Sequence, residues 1–120
     1  MKPVGQLSLS ELDYLVATLE KMPVRIDENG LVRKADGVDG GCYCPSRKWV
    51  YGSPIIEREG IEIWDPEIPG VPFYAHHPLA NGRTISFGGT TGLEAAMKAY
   101  VAAKLGDPVD VDLDRELQTT

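Results

Sequence analysis

The feature that most constrains the fold is a single apolar stripe near the end of the chain. Leu93, Ala96, Met97, Tyr100 and Val101 fall at offsets 0, 3, 4, 7 and 8, and Leu105 extends them before Gly106. That spacing puts all six on one side of an α-helix, with glycine where a helix commonly stops. Thr91 and Glu94 have capping-box spacing at its start, and Glu94 with Lys98 forms a favourable i,i+4 pair. The alanines in the stripe allow close approach, most simply to a sheet. This helix is core scaffold, and the rest of the chain must supply what covers it.

A second helix is expected over residues 9–19. Leu9, Leu12, Val16 and Leu19 recur at helical spacing, Ser8 and Glu11 mark its start, and Pro23 closes the segment. Val24 and Ile26 alternate with Arg25 and Asp27 before the Asn29-Gly30 turn, and Leu31 and Val32 resume, which predicts a small hairpin. Residues 35–41, with Gly37, Gly40 and Gly41, read as a variable, mobile surface loop. From Pro45, Ser46 caps one helical piece ending near Gly52, and Ser53-Pro54 opens a second that Gly60 terminates, the two hinged at Gly52. Extended segments follow at residues 61–64, 71–76 and 83–87, the last two joined by a turn at Asn81-Gly82.

The expected architecture is α+β: a small antiparallel sheet of about three strands packed against the C-terminal helix, the N-terminal helix and short central helices. At 120 residues the chain is one domain, with a radius of gyration near ~14 Å. Residues 1–106 are expected to form its body and 107–120 an acidic, partly disordered tail. Five acids (Asp107, Asp110, Asp112, Asp114, Glu116) face one base (Arg115) there, so the tail holds four of the six net negative charges. A core this small leaves any cleft shallow or shared with a second copy, so a homo-oligomer is one expected form. The acidic balance disfavours nonspecific nucleic-acid binding, which is driven by phosphate neutralisation. No stretch approaches a membrane span, and no basic patch leads into an apolar segment at the start, so the protein is expected to be soluble, off the membrane and not exported.

Cys42 and Cys44, one residue apart, are poorly suited to an ordinary disulfide and read as partly buried thiols. With His76 and His77 they are the one cluster with soft-metal potential, a weak zinc alternative because the familiar cysteine spacing is missing. No cofactor is called for. "FGGTTG" before the last helix offers Gly89, Thr90 and Thr91 as an anion pocket, against the simpler reading of a helix-entry turn. Arg47, Lys48 and Arg58, interleaved with Tyr43, Trp49 and Tyr51, are the binding-surface candidates. Such a set can seat a protein partner or stack a base; the simpler alternative makes Trp49 a core plug between the two short helices. His76 and His77 face opposite ways on a strand, so no catalytic set assembles from spacing alone, and an enzyme is the less favoured class.

"LDYLVATLE", "YCPSRKWVYGSPIIEREGI" and "GTTGLEAAMKAYVAAKLGDPVDV" together resemble the NinX-like family of small proteins from tailed bacteriophages and prophages, a family of unknown function. The resemblance covers roughly residues 10–112 and rests on Tyr43, Pro45, Ser46, Trp49, Pro54, Ile55, Ile56, Ala96, Met97, Tyr100, Val101, Lys104 and Gly106. The chain departs from the family pattern at "GGTTG", where a proline commonly begins the helix, and in its extended "GIEIWDPEIPGVPFYAHH" region. The resemblance implies a phage or prophage accessory protein in the cytoplasm of a bacterial host. On the residues, the favoured class is a non-enzymatic module binding a phage or host protein. A nucleic-acid-associated factor using Arg47, Lys48, Arg58 and the neighbouring aromatics is the alternative, and a small hydrolase or metal-dependent enzyme the third.

Overall fold

The computed structural model describes residues 2–34 and 41–109. Most of the expected 35–41 loop and residues 110–120 of the acidic segment lie outside the described residues. After a 3-10 turn at Val4–Gln6 come α1 (Leu9–Leu19), β1 (Val24–Ile26), β2 (Val32–Lys34), α2 (Trp49–Glu59), β3 (Glu62–Trp64), β4 (Phe73–Pro78), β5 (Thr84–Gly89) and α3 (Gly92–Leu105). β1 and β2 make a two-stranded antiparallel sheet, and β3, β4 and β5 a three-stranded one in that order. The α+β architecture and the helix-on-sheet packing are as the sequence predicts, and the radius of gyration is 14.2 Å.

Local chemistry explains the element boundaries. At α1 the Ser8 hydroxyl accepts from the Glu11 N–H while the Glu11 carboxylate accepts from the Ser8 N–H, a complete capping box. In the β1–β2 hairpin the Asp27 carboxylate accepts from the N–H groups of Asn29 and Leu31 at 2.9 Å, and Gly30 takes the positive φ of 81° that the turn requires. Thr91 caps α3 by accepting from Glu94 N–H. Glu94 completes no box, because its carboxylate turns to Thr90 and Lys98 instead.

The sheet register places α3. Ile63 pairs with Ala75 and Ala75 with Phe87, so the three share one face, together with His77 and Ile85. α3 lies against β4 and β5, and α1 packs on it from the other side. This explains why α3 is buried almost all round, from Gly92 to Ala102, where its sequence shows only one stripe. The outer face of the sheet carries Glu62, Trp64, Tyr74, His76 and Ser86, with Trp64 and Tyr74 rings 5.9 Å apart.

Two expectations are corrected in the middle of the chain. Residues 49–59 form one helix, with Pro54 inside it and no hinge at Gly52. Gly52 is there for packing: a Cβ would lie 2.6 Å from Leu93 Cδ2 and 2.7 Å from the Pro45 carbonyl oxygen. Ser46 caps nothing; its N–H donates to Asp13 at 2.9 Å, and Lys48 holds the N-cap position. Gly60 ends the helix as expected, at φ 71°.

At the end of the body, Val109 is buried and bridges antiparallel to Lys2, and the Asp107 carboxylate accepts from the Val4 N–H at 2.9 Å. The first residues beyond Gly106 are thereby tied to the chain's start.

Candidate functional site

Where the first turn of α3 meets the starts of α1 and α2 and the adjoining ends of β3 and β4, the surface opens into a cleft of about 480 Å³. Its apolar wall is Leu9, Ile63, Phe73 and Leu93, and Trp49 and Arg47 stand at it from α2 and the turn before. Gly92 keeps the α3 entrance close to the sheet, since a Cβ there would meet Ile63 Cγ2 at 2.9 Å. A second depression of about 520 Å³ adjoins it through Asp65, Phe73 and Thr90 and follows the proline-rich loop past Ile68 and Val71. Trp49 is 57% exposed, which removes the alternative in which it plugs the core. The missing hinge is the physical cause: with α2 continuous, its first residue sits at the rim and not between two helical pieces.

The polar groups of the cleft are largely engaged by the protein itself. The Arg47 guanidinium lies 3.4 Å from the fully buried Asp13 carboxylate. Burial pushes Asp13 above the usual carboxylate range, against the pull of Ser46, side chain first and then N–H, and of Arg47. For Glu94, burial raises the pKa, but donors on Thr90 and the charge of Lys98 prevail and hold it below its ordinary value. The anion pocket expected at Gly89, Thr90 and Thr91 therefore has an internal tenant. Both Thr90 donors point at the Glu94 carboxylate, Thr91 accepts from Glu94, and Gly89 faces α3 so closely that a Cβ would touch Ala95 N at 2.8 Å. The arrangement suits an apolar or aromatic group better than a free anion.

The remaining candidates scatter. Tyr43 is buried in the core with its hydroxyl pushed up to about 12 by burial, so it offers no surface. Its ring lies 5.1 Å from that of half-buried Tyr51, over which Lys34 stands at 5.0 Å. Lys48 is exposed beside Trp49. Arg58 points elsewhere: it donates to Glu20, Glu59 and the Tyr100 hydroxyl, and those hydrogen bonds, Glu20 first, raise its pKa.

Cys42 and Cys44 are joined as a disulfide, which corrects the expectation of separate thiols. Extended chain around Tyr43 sets their Cα atoms 5.7 Å apart, inside the range a bridge can span. His76 and His77 do face opposite ways. His76 Nδ1 lies 2.7 Å from Ser86 Oγ on the outer face, whereas His77 Nδ1–H donates to the Pro78 carbonyl and its Nε2 lies 3.3 Å from Glu59. Among the described residues no three His, Cys, Asp or Glu side chains group as metal ligands, and the zinc alternative does not assemble.

Sequence reasoning singled out Arg47 and Trp49 on one side and Thr90 and Thr91 on the other without joining them. Leu9 and Leu93 carry in the sequence only the mark of a helix stripe, and Ile63 and Phe73 only that of the extended segments 61–64 and 71–76. A signal was present in the "GGTTG" run, which brings the chain into α3 with no side chain larger than threonine ahead of Leu93.

The family model described as "Bacteriophage P22, NinX" matches residues 3–104. No curated protein matches the sequence. Among solved structures, a phage protein from Bacillus cereus ATCC 14579 is similar with a TM-score of 0.59 at 13% sequence identity, over 82% of this chain and 88% of that one. At that identity the likeness is one of fold.

Proposed function

The chain belongs to the bacteriophage P22 NinX family of phage proteins, and from that premise we propose that it is a non-enzymatic accessory module that docks a phage or host protein in the cytoplasm of an infected or lysogenic bacterium. The observation that carries the proposal is Trp49, a large aromatic more than half exposed at the lip of an apolar cleft. Tryptophan and arginine around a pocket are the residue types that dominate the energy of protein interfaces. The adjoining loop adds exposed Ile68 and Val71, and Val50 follows Trp49 on α2. No helix among the described residues is long and apolar enough to cross a membrane. The hydrolase alternative turns on His76 or His77, and neither lies at the cleft: His76 is on the outer face of the sheet with Ser86, and His77 is held by the Pro78 carbonyl and Glu59.

The nucleic-acid alternative draws on Arg47 and Lys48 beside Trp49, a pattern that suits base stacking. It is the weaker one, because Arg58 is held by two carboxylates and the chain carries a net charge of −6. Affinity capture with the tagged full chain, from host lysate during prophage induction, separates the two. One stoichiometric protein partner is expected, kept by Glu57→Ala and reduced about tenfold or more by Trp49→Ala, the loss typical of a central aromatic anchor. Recovery of nuclease-sensitive nucleic acid alone, or a partner indifferent to Trp49→Ala, would overturn the proposal.

A further inference from the structure

We infer that a second copy of this chain pairs along the open edge of β5, antiparallel, about a two-fold axis through Ser86. Among the described residues β5 is hydrogen-bonded to β4 alone. Proteins usually blunt such an edge with charge, proline or brevity. β3, at the other edge, is three residues long and leads into Asp65-Pro66, whereas β5 runs six residues, "TISFGG", with neither charge nor proline. Its α3-side residues Ile85 and Phe87 stay only partly buried, and a neighbouring strand is what would finish covering them.

The register follows from chemistry. When a strand pairs with itself about an axis normal to the sheet, opposed side chains share a face, so one residue must stand opposite its own copy. With Ser86 in that place, Ile85 stands opposite Phe87 on the α3 side, and Thr84 opposite Gly88 on the outer face. Apolar meets apolar, and Thr84 faces a residue with no side chain, at a place where the Tyr74 ring would lie 3.3 Å from a Cβ. A register centred on Phe87 would set Ile85 against Gly89, and one centred on Ile85 would set Phe87 against Arg83. Charge agrees as well. Arg83, which makes no ion pair among the described residues, comes opposite Gly89 of the second copy. A Cβ at Gly89 would lie 3.2 Å from Glu94 Cβ and Cγ, so the guanidinium of each copy comes to the first turn of the other copy's α3 and joins Thr90 and Lys98 around the Glu94 carboxylate, twice by symmetry.

Ser86 is exposed and stands opposite itself, so a charge there opposes a like charge only in this register. Light scattering coupled to size exclusion should find the full-length wild type at twice its monomer mass. Ser86→Lys and Ser86→Glu, each checked for native circular dichroism, should run as monomers, and an equimolar mixture should recover the dimer. A wild type that stays monomeric at high concentration overturns the inference, as do charged variants that remain dimeric alone or a mixture that fails to associate. Amide exchange on the unmodified protein gives an independent reading that needs no variant to fold. The amides along β5 should slow as concentration rises, and exchange that ignores concentration contradicts the pairing.

Discussion

Arg58 is the residue at which local and distant chemistry part. Its neighbour Glu59 is adjacent in sequence, but Glu20 and Tyr100 lie 38 and 42 positions away, and no spacing rule connects them. The outcome is a cluster in which Arg58, Lys104 and His77 converge on Glu59. Burial there would raise the Glu59 carboxyl, yet those partners hold it at about 2, against an ordinary 4.5. A carboxyl with a lowered folded pKa lends stability that is complete above its ordinary value and is lost as pH falls from about 4.5 toward 2. Between pH 6 and pH 2.5, wild type should therefore lose about 1–2 kcal/mol more than Glu59→Gln in urea unfolding, an amount reduced by the partial exposure of Arg58 and Lys104. Parallel declines in the two proteins would remove Glu59 from the account. By contrast, Ser8 with Glu11 and Glu94 with Lys98 were legible because their partners are three or four positions away, within one helical turn.

At the scale of elements, helices and strands announced themselves wherever periodicity and turn residues agreed. α1, the β1–β2 hairpin and the β4–β5 turn at Leu79–Arg83 all follow from such agreement. α2 did not, because Gly52 and Pro54 are usual helix interrupters and their local preference points to a break. Tertiary contact outweighs it. Gly52 lets α2 seat against Leu93 and the Pro45 carbonyl, contacts that offset what Pro54 costs the helix by removing one N–H from the ladder and crowding the Val50 carbonyl. Alanine in place of Gly52 should favour the helix by about 1 kcal/mol in isolation. In the folded protein its Cβ would press on a backbone oxygen at 2.7 Å, and the net effect should be a loss of about 2 kcal/mol. Chemical denaturation of Gly52→Ala checks the sign, and a stabilised variant would mean that α2 can shift away from α3 at little cost. The same packing explains Trp49: a hinge at Gly52 is what the core-plug alternative needs, and the continuous helix leaves Trp49 at the surface.

In the whole molecule, α3 is the post around which everything else is arranged, with the three-stranded sheet on one side and α1 on the other. Its apolar stripe forecasts the sheet side of that arrangement, whereas the cover from α1 rests on the small residues Ala95, Ala99 and Ala102 outside the stripe, which carry little apolar signal of their own. The cleft was illegible for a different reason. It lies where residues 9, 49, 63, 73 and 93 come together, each from a different segment of the sequence. None carries a mark of the space left between them. That space, open at Trp49 and continued along the proline-rich loop, is the central functional claim. Site-specific photo-crosslinking tests it most directly: a benzophenone side chain at position 49, with position 57 on the same helix as control, activated in host cells during prophage induction. One discrete protein adduct from position 49 and none from position 57 is the predicted result. Equal labelling from both positions, or adducts to nucleic acid alone, would contradict the assignment of the cleft as the docking site.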